Sequence, residues 1–167
     1  MIKVTLLMAI SLDGKIAKDS YHFANWTSKE DKKHFLKISK EYGLIMMGEN
    51  TFKTLPGTLP NRLNVVFSRK KNLKEEKDLK YVEGDPEKVL KELEDLGYGR
   101  ALLCGGTFLN SQFLKKQLIS DLIITIEPKL FGQGLSLFDT SVDYSLELKE
   151  LKKINKNSLT LRYKVVY

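Results

Sequence analysis

Two turns in this sequence combine residue types that suit the binding of a phosphate group. Gly105 and Gly106 fall between an apolar run and a helical pattern, and glycine lets a phosphate approach the backbone closely. The free N–H groups at the start of a helix favour an anion, although a Gly-Gly pair at such a turn is as often purely structural. Arg69 directly follows Ser68 at the end of another apolar run, and its fork of donors could grip a phosphate instead of facing solvent.

Asp31 is the titratable residue whose position is most informative. It lies four residues before Phe35 and seven before Ile38, which places its carboxylate on the apolar face of a helix. A carboxylate on such a face is costly unless a donor pairs with it, and the N–H edge of a heterocyclic ligand would be such a donor. Alternatively, Asp31 lies in the first turn and complements the helix dipole. The spacing alone leaves both interpretations open.

The other residues near these segments indicate no specific chemistry by themselves. Trp26, Phe35 and Phe52 are expected to be core aromatics, and a lone arginine such as Arg62 is expected at the surface. The glycine pattern excludes two common nucleotide-binding loops. The chain has no G-x-G-x-x-G, and residues 132–134 lack the Lys-Ser/Thr of a P-loop.

Five short apolar runs predict strands that are covered on both faces, as in a parallel sheet with helices on each side. These runs cover residues 4–10, 44–47, 63–67, 101–104 and 122–126. The helices predicted between them cover residues 28–42, 85–97 and 106–116. A capping box from Thr27 to Glu30 is expected to start the first of these helices.

The C-terminal segment changes from continuous apolar runs to strict alternation. Leu159, Leu161 and the following odd-numbered residues alternate with other residue types, and Leu146 and Leu148 begin a similar pattern. We therefore expect an antiparallel hairpin around a turn at residues 155–157. The predicted fold class is α/β, with three layers, a mostly parallel central sheet and this C-terminal hairpin.

In an open α/β sheet, ligands bind where loops follow the carboxyl ends of the strands. Four such loops are predicted, and they cover residues 11–26, 48–51, 68–69 and 105–107. The first loop is long for a connection, so either a functional loop or local disorder is expected there.

The composition is typical of a cytoplasmic protein, and we expect one domain over residues 1–167. The chain has a single cysteine, Cys104, and 42% hydrophobic residues. It therefore has no internal disulfide, and neither His22 nor His34 has a cysteine at zinc spacing, so we expect no metal site. The apolar run after Lys3 is interpreted as a first strand, because no small-residue cleavage site follows it and it is too short for a membrane helix.

The net charge of +7 leaves two interpretations of the surface open. The lysines are dispersed along one helix and among acidic residues, which is typical of a solvated surface. A basic nucleotide- or nucleic-acid-binding module without catalysis is the alternative, but a nucleic-acid surface needs a concentrated basic face with stacking aromatics. We therefore expect a small-molecule ligand, with no nucleic acid and no membrane as partner.

Taken in order, the motifs resemble the dihydrofolate reductase superfamily over almost the whole chain. The resemblance is strongest to the reductase domain of the riboflavin pathway and its stand-alone relatives. Six stretches carry it, each modest by itself but together in the family's order and spacing. They are residues 8–17 (MAISLDGKIA), 27–31 (TSKED), 45–52 (IMMGENTF), 59–69 (LPNRLNVVFSR), 104–109 (CGGTFL) and 127–134 (EPKLFGQG).

This resemblance implies NADPH as the cofactor. The nicotinamide would be lined by Ala9 and Ile16, the diphosphate would lie between two glycine-containing loops, and the 2′-phosphate would contact Ser68 and Arg69. Glu49 departs from the basic residue that many dihydrofolate reductases have at this position, which weakens the preference for NADPH over NADH. The implied cofactor-binding residues are Ala9, Ile16, Gly48, Thr51, Ser68, Arg69, Cys104, Gly105, Gly106 and Thr107.

The resemblance leaves two substrates open. Trp26, Asp31 and Phe35 match the folate pocket, Thr125 matches a threonine that supports the pocket carboxylate, and Arg62 matches the arginine that binds the folate tail. The stretches at residues 11–15, 27–31 and 127–138 instead resemble the riboflavin-type reductases. We expect the riboflavin-type reaction, with dihydrofolate reduction as the alternative. The resemblance further implies Asp31 as the catalytic residue, closure of the loop at residues 11–26 over the site, and a homodimer.

Overall fold

The computed structural model describes residues 2–70 and 73–167. The strands in this part of the chain are β1 (Lys3–Ser11), β2 (Lys15–Ala17), β3 (Leu44–Gly48), β4 (Leu63–Phe67), β5 (Leu79–Val82), β6 (Arg100–Leu103), β7 (Ile119–Glu127), β8 (Leu135–Ser136), β9 (Ser145–Lys153) and β10 (Leu159–Val166). The helices are α1 (Lys29–Tyr42), α2 (Glu49–Lys53), α3 (Pro86–Asp95) and α4 (Thr107–Lys115).

Eight of these strands form one sheet, in the order β5-β4-β3-β6-β1-β7-β10-β9. The pairs from β5 to β7 are parallel. β10 pairs antiparallel with both β7 and β9. The predicted α/β class, with a mostly parallel sheet and a C-terminal antiparallel hairpin, is confirmed. Four of the five apolar runs fall within parallel strands of this sheet, and the fifth, residues 101–104, extends one residue beyond β6.

Helices cover both faces of the sheet, which confirms the three layers. Val89 and Leu93 of α3 and Phe113 of α4 belong to a hydrophobic cluster on one face. Phe35 and Ile38 of α1 pack against a second cluster on the other face. Parallel strands with apolar side chains on both faces require this arrangement, because each face must be shielded from water.

The start of α1 differs from the sequence prediction. The capping box at Thr27 is wrong, because Ser28 is the N-cap and its hydroxyl accepts a hydrogen bond from Asp31 N at 3.2 Å. The same hydroxyl donates to Glu127 Oε1 at 2.6 Å, so a contact distant in sequence holds Ser28 in the capping position. Asp31 therefore lies in the first turn of α1.

The elements that the sequence analysis missed are short or mixed in polarity. In β5, Leu79 and Val82 are buried while the two residues between them are half-buried, so neither alternation nor a continuous apolar run is visible. Helix α2 has only five residues and directly follows β3. Among residues 2–70 and 73–167, none of the helices has the length and apolar character needed to cross a bilayer.

Candidate functional site

A cleft of about 1510 Å³ lies along the carboxyl edge of the parallel strands. Its walls include Ala9 of β1, Gly48 at the end of β3, Ser68 after β4 and Gly106 after β6. Pockets for a single small molecule measure roughly 300–1,000 Å³, so this cleft has room for a cofactor and a substrate side by side. The strand ends thus line one cleft at the edge where the sequence predicts ligand binding.

The predicted site residues divide into those that line this cleft and those that do not. The lining residues are Ala9, Ile16, Trp26, Asp31, Phe35, Gly48, Thr51, Ser68, Arg69, Cys104, Gly106 and Thr107. Gly105, Arg62 and Thr125 are buried, and they are not part of the wall. Twelve of the fifteen predicted positions therefore line one cavity, although they come from separate segments of the chain.

At the centre of the cleft, two loops approach each other through their backbones. Gly48 N donates a hydrogen bond to Gly105 O at 2.8 Å, and the peptide between Gly105 and Gly106 is cis. Gly105 has a φ of +96°, and a Cβ on it would lie 3.0 Å from Met8 Cε. A Cβ on Gly106 would lie 3.4 Å from Thr51 Oγ1. Glycine therefore keeps a narrow space between the loops open, and this space suits the backbone binding of a diphosphate.

Two predicted cofactor-binding side chains have little hydrogen-bonding capacity left for a ligand. Thr107 Oγ1 donates to Ser136 O at 2.6 Å, so this hydroxyl helps hold β8 against the cleft. Burial raises the pKa of the Cys104 thiol to about 12. Cys104 therefore stays protonated at neutral pH, and its contribution to the cleft is an apolar wall rather than a nucleophile.

The far end of the cleft is a charged cluster centred on Glu49. Ser68 Oγ donates to Glu49 Oε2 at 2.9 Å. Lys53 Nζ and Lys70 Nζ lie 2.8 and 2.6 Å from Glu49 Oε1. The hydrogen bonds from Lys53, Lys70 and Ser68, in that order, lower the pKa of Glu49 to about 2. Arg69 beside them is exposed and lines the cleft. The sequence analysis noted Glu49 only because it replaces the basic residue that many dihydrofolate reductases have at this position, and it did not predict these contacts.

The opposite end of the cleft is formed by side chains around Asp31. The Asp31 side chain lines the cleft together with Trp26 and Phe35, while only 9% of the residue is exposed. Burial raises the pKa of its carboxyl, and the nearby hydroxyls of Thr125 and Thr27 act in the opposite direction. Thr125 Oγ1 is fully buried and makes no hydrogen bond of good geometry within the described residues. Its effect on the pKa of the Asp31 carboxyl therefore comes from its closeness to that carboxyl.

Glu127 is a buried carboxylate that the sequence analysis did not single out. It is 3% exposed, and its Oε1 accepts from Ser28 N at 2.8 Å and from Ser28 Oγ at 2.6 Å. Its Oε2 accepts from Ser158 Oγ at 2.7 Å. Glu127 thereby ties the end of β7 to the start of α1 and positions Asp31. The signal in the sequence was its place at the head of the stretch 127–134.

Arg62 is buried, so the expectation of a surface position is wrong. Only 7% of it is exposed. Its guanidinium donates to Pro60 O at 3.0 Å, to Leu36 O at 3.3 Å and to Ser39 Oγ. These contacts join the segment before β4 to the middle of α1. The structure does not bring Arg62 into the cleft, because its donors already satisfy acceptors inside the protein.

The long loop after β1 forms one wall of the cleft and is fixed at its base. The Asp13 carboxylate accepts from Ser11 Oγ at 2.6 Å and from Gly132 N at 2.7 Å. The hydrogen bond from the Ser11 hydroxyl is the largest of the effects that lower the pKa of Asp13 to about 2. Within the loop, β2 pairs with β8, and Trp26 packs edge-on against Phe131 with the ring centroids 5.0 Å apart. These contacts fix the loop both near its start, at Asp13, and at its end, at Trp26.

Comparison with known proteins places these features in a family. The chain is 24% identical over 162 residues to the uncharacterized protein YwjB of Bacillus subtilis, which covers 92% of this chain and 93% of that relative. It is 26% identical over 193 residues to the riboflavin biosynthesis protein RibD of Aquifex aeolicus, which covers 91% of this chain and 54% of RibD. The chain therefore corresponds to about half the length of that RibD protein.

Structural similarity and a family model complete the comparison. The dihydrofolate reductase of Enterococcus faecalis, solved in complex with NADP(H), has a TM-score of 0.71 and 19% sequence identity, over 98% of this chain and 96% of that one. This likeness shows the fold. A model of the RibD C-terminal domain matches residues 2–160. The chain belongs to the RibD C-terminal domain family, whose members are reductase-like proteins.

Proposed function

We propose that this chain is a cytoplasmic, NADPH-dependent reductase of a ribosylaminopyrimidine phosphate, formed by a single domain over residues 1–167. The substrate would be 5-amino-6-(5-phosphoribosylamino)uracil or a close relative. One observation carries the proposal: the buried carboxylate of Asp31 and the glycine-lined space at Gly48 and Gly106 open into the same cleft. Membership of the RibD C-terminal domain family supports the reductase class.

The residues of the central and far parts of the cleft fit a reduced nicotinamide dinucleotide. Gly106 N would donate to the diphosphate, and a Cβ at Gly106 would approach Thr51 and narrow this space. Gly48 would flank the diphosphate without donating to it, because its N–H already donates to Gly105 O. Ser68 and Arg69 would contact the 2′-phosphate, and Ala9 with Ile16 would flank the nicotinamide. When bound, NADPH supplies the hydride, while the protein supplies placement and electrostatics.

The residues around Asp31 would orient the substrate and control its proton. The ring-opened ribosylamine takes a hydride at C1 and a proton at the attached nitrogen, which gives a ribitylamine. Asp31 would hold the pyrimidine edge by hydrogen bonds, and its raised pKa favours a carboxyl that keeps a proton to deliver. Trp26 and Phe35 would exclude water, and Lys32 on the same wall is a cation for the substrate phosphate. Holding both reactants in contact would account for much of the acceleration.

Dihydrofolate reduction is the alternative, and one observation favours it. Trp26, Asp31 and Phe35 line the cleft together, as the resemblance to the folate pocket implies. The position of Arg62 argues against it, because the guanidinium expected to bind the folate tail donates instead to Leu36 O and Ser39 Oγ. We therefore prefer the ribosylaminopyrimidine phosphate.

A direct assay separates the two substrates. Purified protein is mixed with NADPH and either dihydrofolate or the ribosylaminopyrimidine phosphate, and NADPH oxidation is followed by absorbance. We expect oxidation with the ribosylaminopyrimidine phosphate and none above background with dihydrofolate. Turnover of dihydrofolate alone would replace the proposal with its alternative.

We also propose that two copies associate through the edge strand β9. Leu146, Leu148 and Leu151 on this strand are 46%, 50% and 57% exposed. Glutamate and lysine residues are interspersed with these leucines along Ser145–Lys153, so an antiparallel copy can place opposite charges across the interface. Sedimentation should give a dimer that becomes a monomer in Leu148→Lys. A monomeric wild type would contradict this arrangement.

A further inference from the structure

The end of the cleft beyond Ser68 already contains an anion of its own. Glu49 accepts hydrogen bonds from Ser68 Oγ at 2.9 Å and from Lys70 Nζ at 2.6 Å, and Lys53 Nζ lies 2.8 Å from the same carboxylate. A hydroxyl and ammonium groups are the donors that a phosphate monoester would need at this place. They are satisfied by a side chain before any ligand arrives.

The charges that line this end of the cleft do not favour a further anion such as a phosphate. Arg69 is a cation on the wall, but Glu49 and Glu83 contribute two carboxylates to the same lining. Lys53 and Lys70 both lie against Glu49, so their charges are largely neutralised. A carboxylate at this position accepts a hydrogen bond from a ribose 2′-hydroxyl as readily as it repels a 2′-phosphate.

We propose that Glu49 determines the cofactor preference of this chain by occupying the donors that a 2′-phosphate would use. This inference rests on the proposed binding of a nicotinamide dinucleotide in the cleft, with the adenosine ribose at Ser68. The preference of the wild-type protein for NADPH over NADH is then smaller than it would be without the Glu49 carboxylate. NADPH must displace the Glu49 carboxylate from Ser68 and Lys70, whereas NADH donates its 2′-hydroxyl to it.

The competition persists over the working pH range of the protein. The pKa of Glu49 is lowered to about 2 by Lys53, Lys70 and Ser68, so the carboxylate is ionised throughout. A phosphate monoester carries between one and two negative charges near neutral pH, with a second pKa of about 6. Glu49 and the 2′-phosphate are therefore both negatively charged near neutral pH and would compete for the same donors.

The test is a comparison of cofactor affinities in Glu49→Gln, which removes the charge and keeps the shape. Dissociation constants are measured by titration for NADPH, NADH, 2′,5′-ADP and 5′-AMP, so that the readout does not depend on turnover. We expect tighter binding of NADPH and 2′,5′-ADP by about tenfold, and a change of less than about twofold for the other two. Glu92→Gln is the matched control, because Glu92 also pairs with a lysine, Lys80 at 3.6 Å, but lies outside the cleft.

The possible outcomes are distinct. Equal changes for NADPH and NADH, or weaker NADPH binding in Glu49→Gln, would overturn the inference, because Glu49 would then orient Ser68 and Lys70 for the phosphate rather than compete with it. Glu49→Ser, which also removes the carboxylate, must act in the same direction as Glu49→Gln. Binding of neither cofactor to any variant would contradict the proposed function itself, whereas binding with an unaltered ratio contradicts only the role of Glu49.

Discussion

The two ends of the cleft are constructed differently. The proposed cofactor end extends from the centre of the cleft to Glu49, and the backbones of Gly48 and Gly106 lie there because parallel strands end at these positions. At the opposite, proposed substrate end, Asp31, Trp26 and Phe35 present side chains from a loop and from the first half of α1. The backbone groups are held by the sheet itself, whereas each side chain depends on its own neighbours.

This difference indicates where the site lowers the stability of the folded protein. The glycines at the cofactor end replace side chains that would not fit, at the modest entropic cost of glycine. At the substrate end, a carboxyl is kept 9% exposed with a raised pKa, and burying an ionised group weakens the folded state. The substrate end is therefore the end where substitutions should affect turnover most strongly.

The largest effect is expected for Asp31→Asn. Loss of a group that orients the substrate and delivers a proton should lower turnover at least about a hundredfold, while NADPH affinity stays within about twofold of wild type. Steady-state kinetics and NADPH titration measure the two quantities. Asp139→Asn, at another carboxylate on the cleft wall, should leave turnover nearly unchanged. An unaltered rate in Asp31→Asn would remove Asp31 from the mechanism.

The same variant should also change the dependence of stability on pH. Because the pKa of Asp31 is raised above its ordinary value of 3.8, the folded protein binds this proton more tightly than the unfolded chain does. The contribution of Asp31 to wild-type stability therefore falls as the pH rises from below 3.8 through the raised pKa. Asp31→Asn lacks this loss, so its Tm should exceed that of wild type at pH 7, and the excess should disappear near pH 3. A lower Tm at pH 7 would contradict this reasoning.

Arg62→Met tests whether Arg62 lies outside the substrate end of the cleft. Removal of the guanidinium takes away the hydrogen bonds that it donates to Pro60 O, Leu36 O and Ser39 Oγ, which should lower the free energy of unfolding by about 2 kcal/mol. Ligand affinities should not change, because Arg62 lies outside the cleft. Thermal unfolding and cofactor titration check both parts, with the exposed Arg100→Met as the milder control. A raised KM with an unchanged Tm would instead place Arg62 in contact with a ligand.

The smallest of these effects is expected for Arg69→Ala at the cofactor end. Arg69 is exposed, so salt screens its attraction to a phosphate. NADPH should bind about tenfold more weakly, whereas NADH affinity should stay the same. Titration with both cofactors gives the ratio directly. Equal losses for the two cofactors would refute a contact between Arg69 and the 2′-phosphate.

The cofactor end was the more predictable from the sequence, for a physical reason. An apolar run that stops at Gly48, Ser68 or Gly105 specifies both a strand and the turn that follows it, and the ends of parallel strands lie at one edge. The sequence left Asp31 with two interpretations. The structure places it in the first turn of α1, as one of them predicts, and also in the cleft wall, whereas its pairing with a heterocyclic ligand stays a prediction.

What the sequence did not predict depends on contacts between distant residues. Arg62 meets Ser39 across 23 positions of the chain, and Glu127 meets Ser28 across 99. No local pattern encodes such pairs. The strand β5 was missed because a buried strand of four residues with a mixed pattern carries too little periodicity.

The position of Glu127 has a consequence for engineering the protein. The Glu127 carboxylate, at the end of β7, accepts hydrogen bonds from Ser28, the N-cap of α1, and from Ser158, which directly precedes β10. The C-terminal hairpin is therefore not a module that can be exchanged freely with that of a relative. A grafted hairpin without a hydroxyl at position 158 would remove one hydrogen bond to Glu127. The other oxygen of Glu127 binds Ser28, three residues before Asp31, so the start of α1 would be held less firmly.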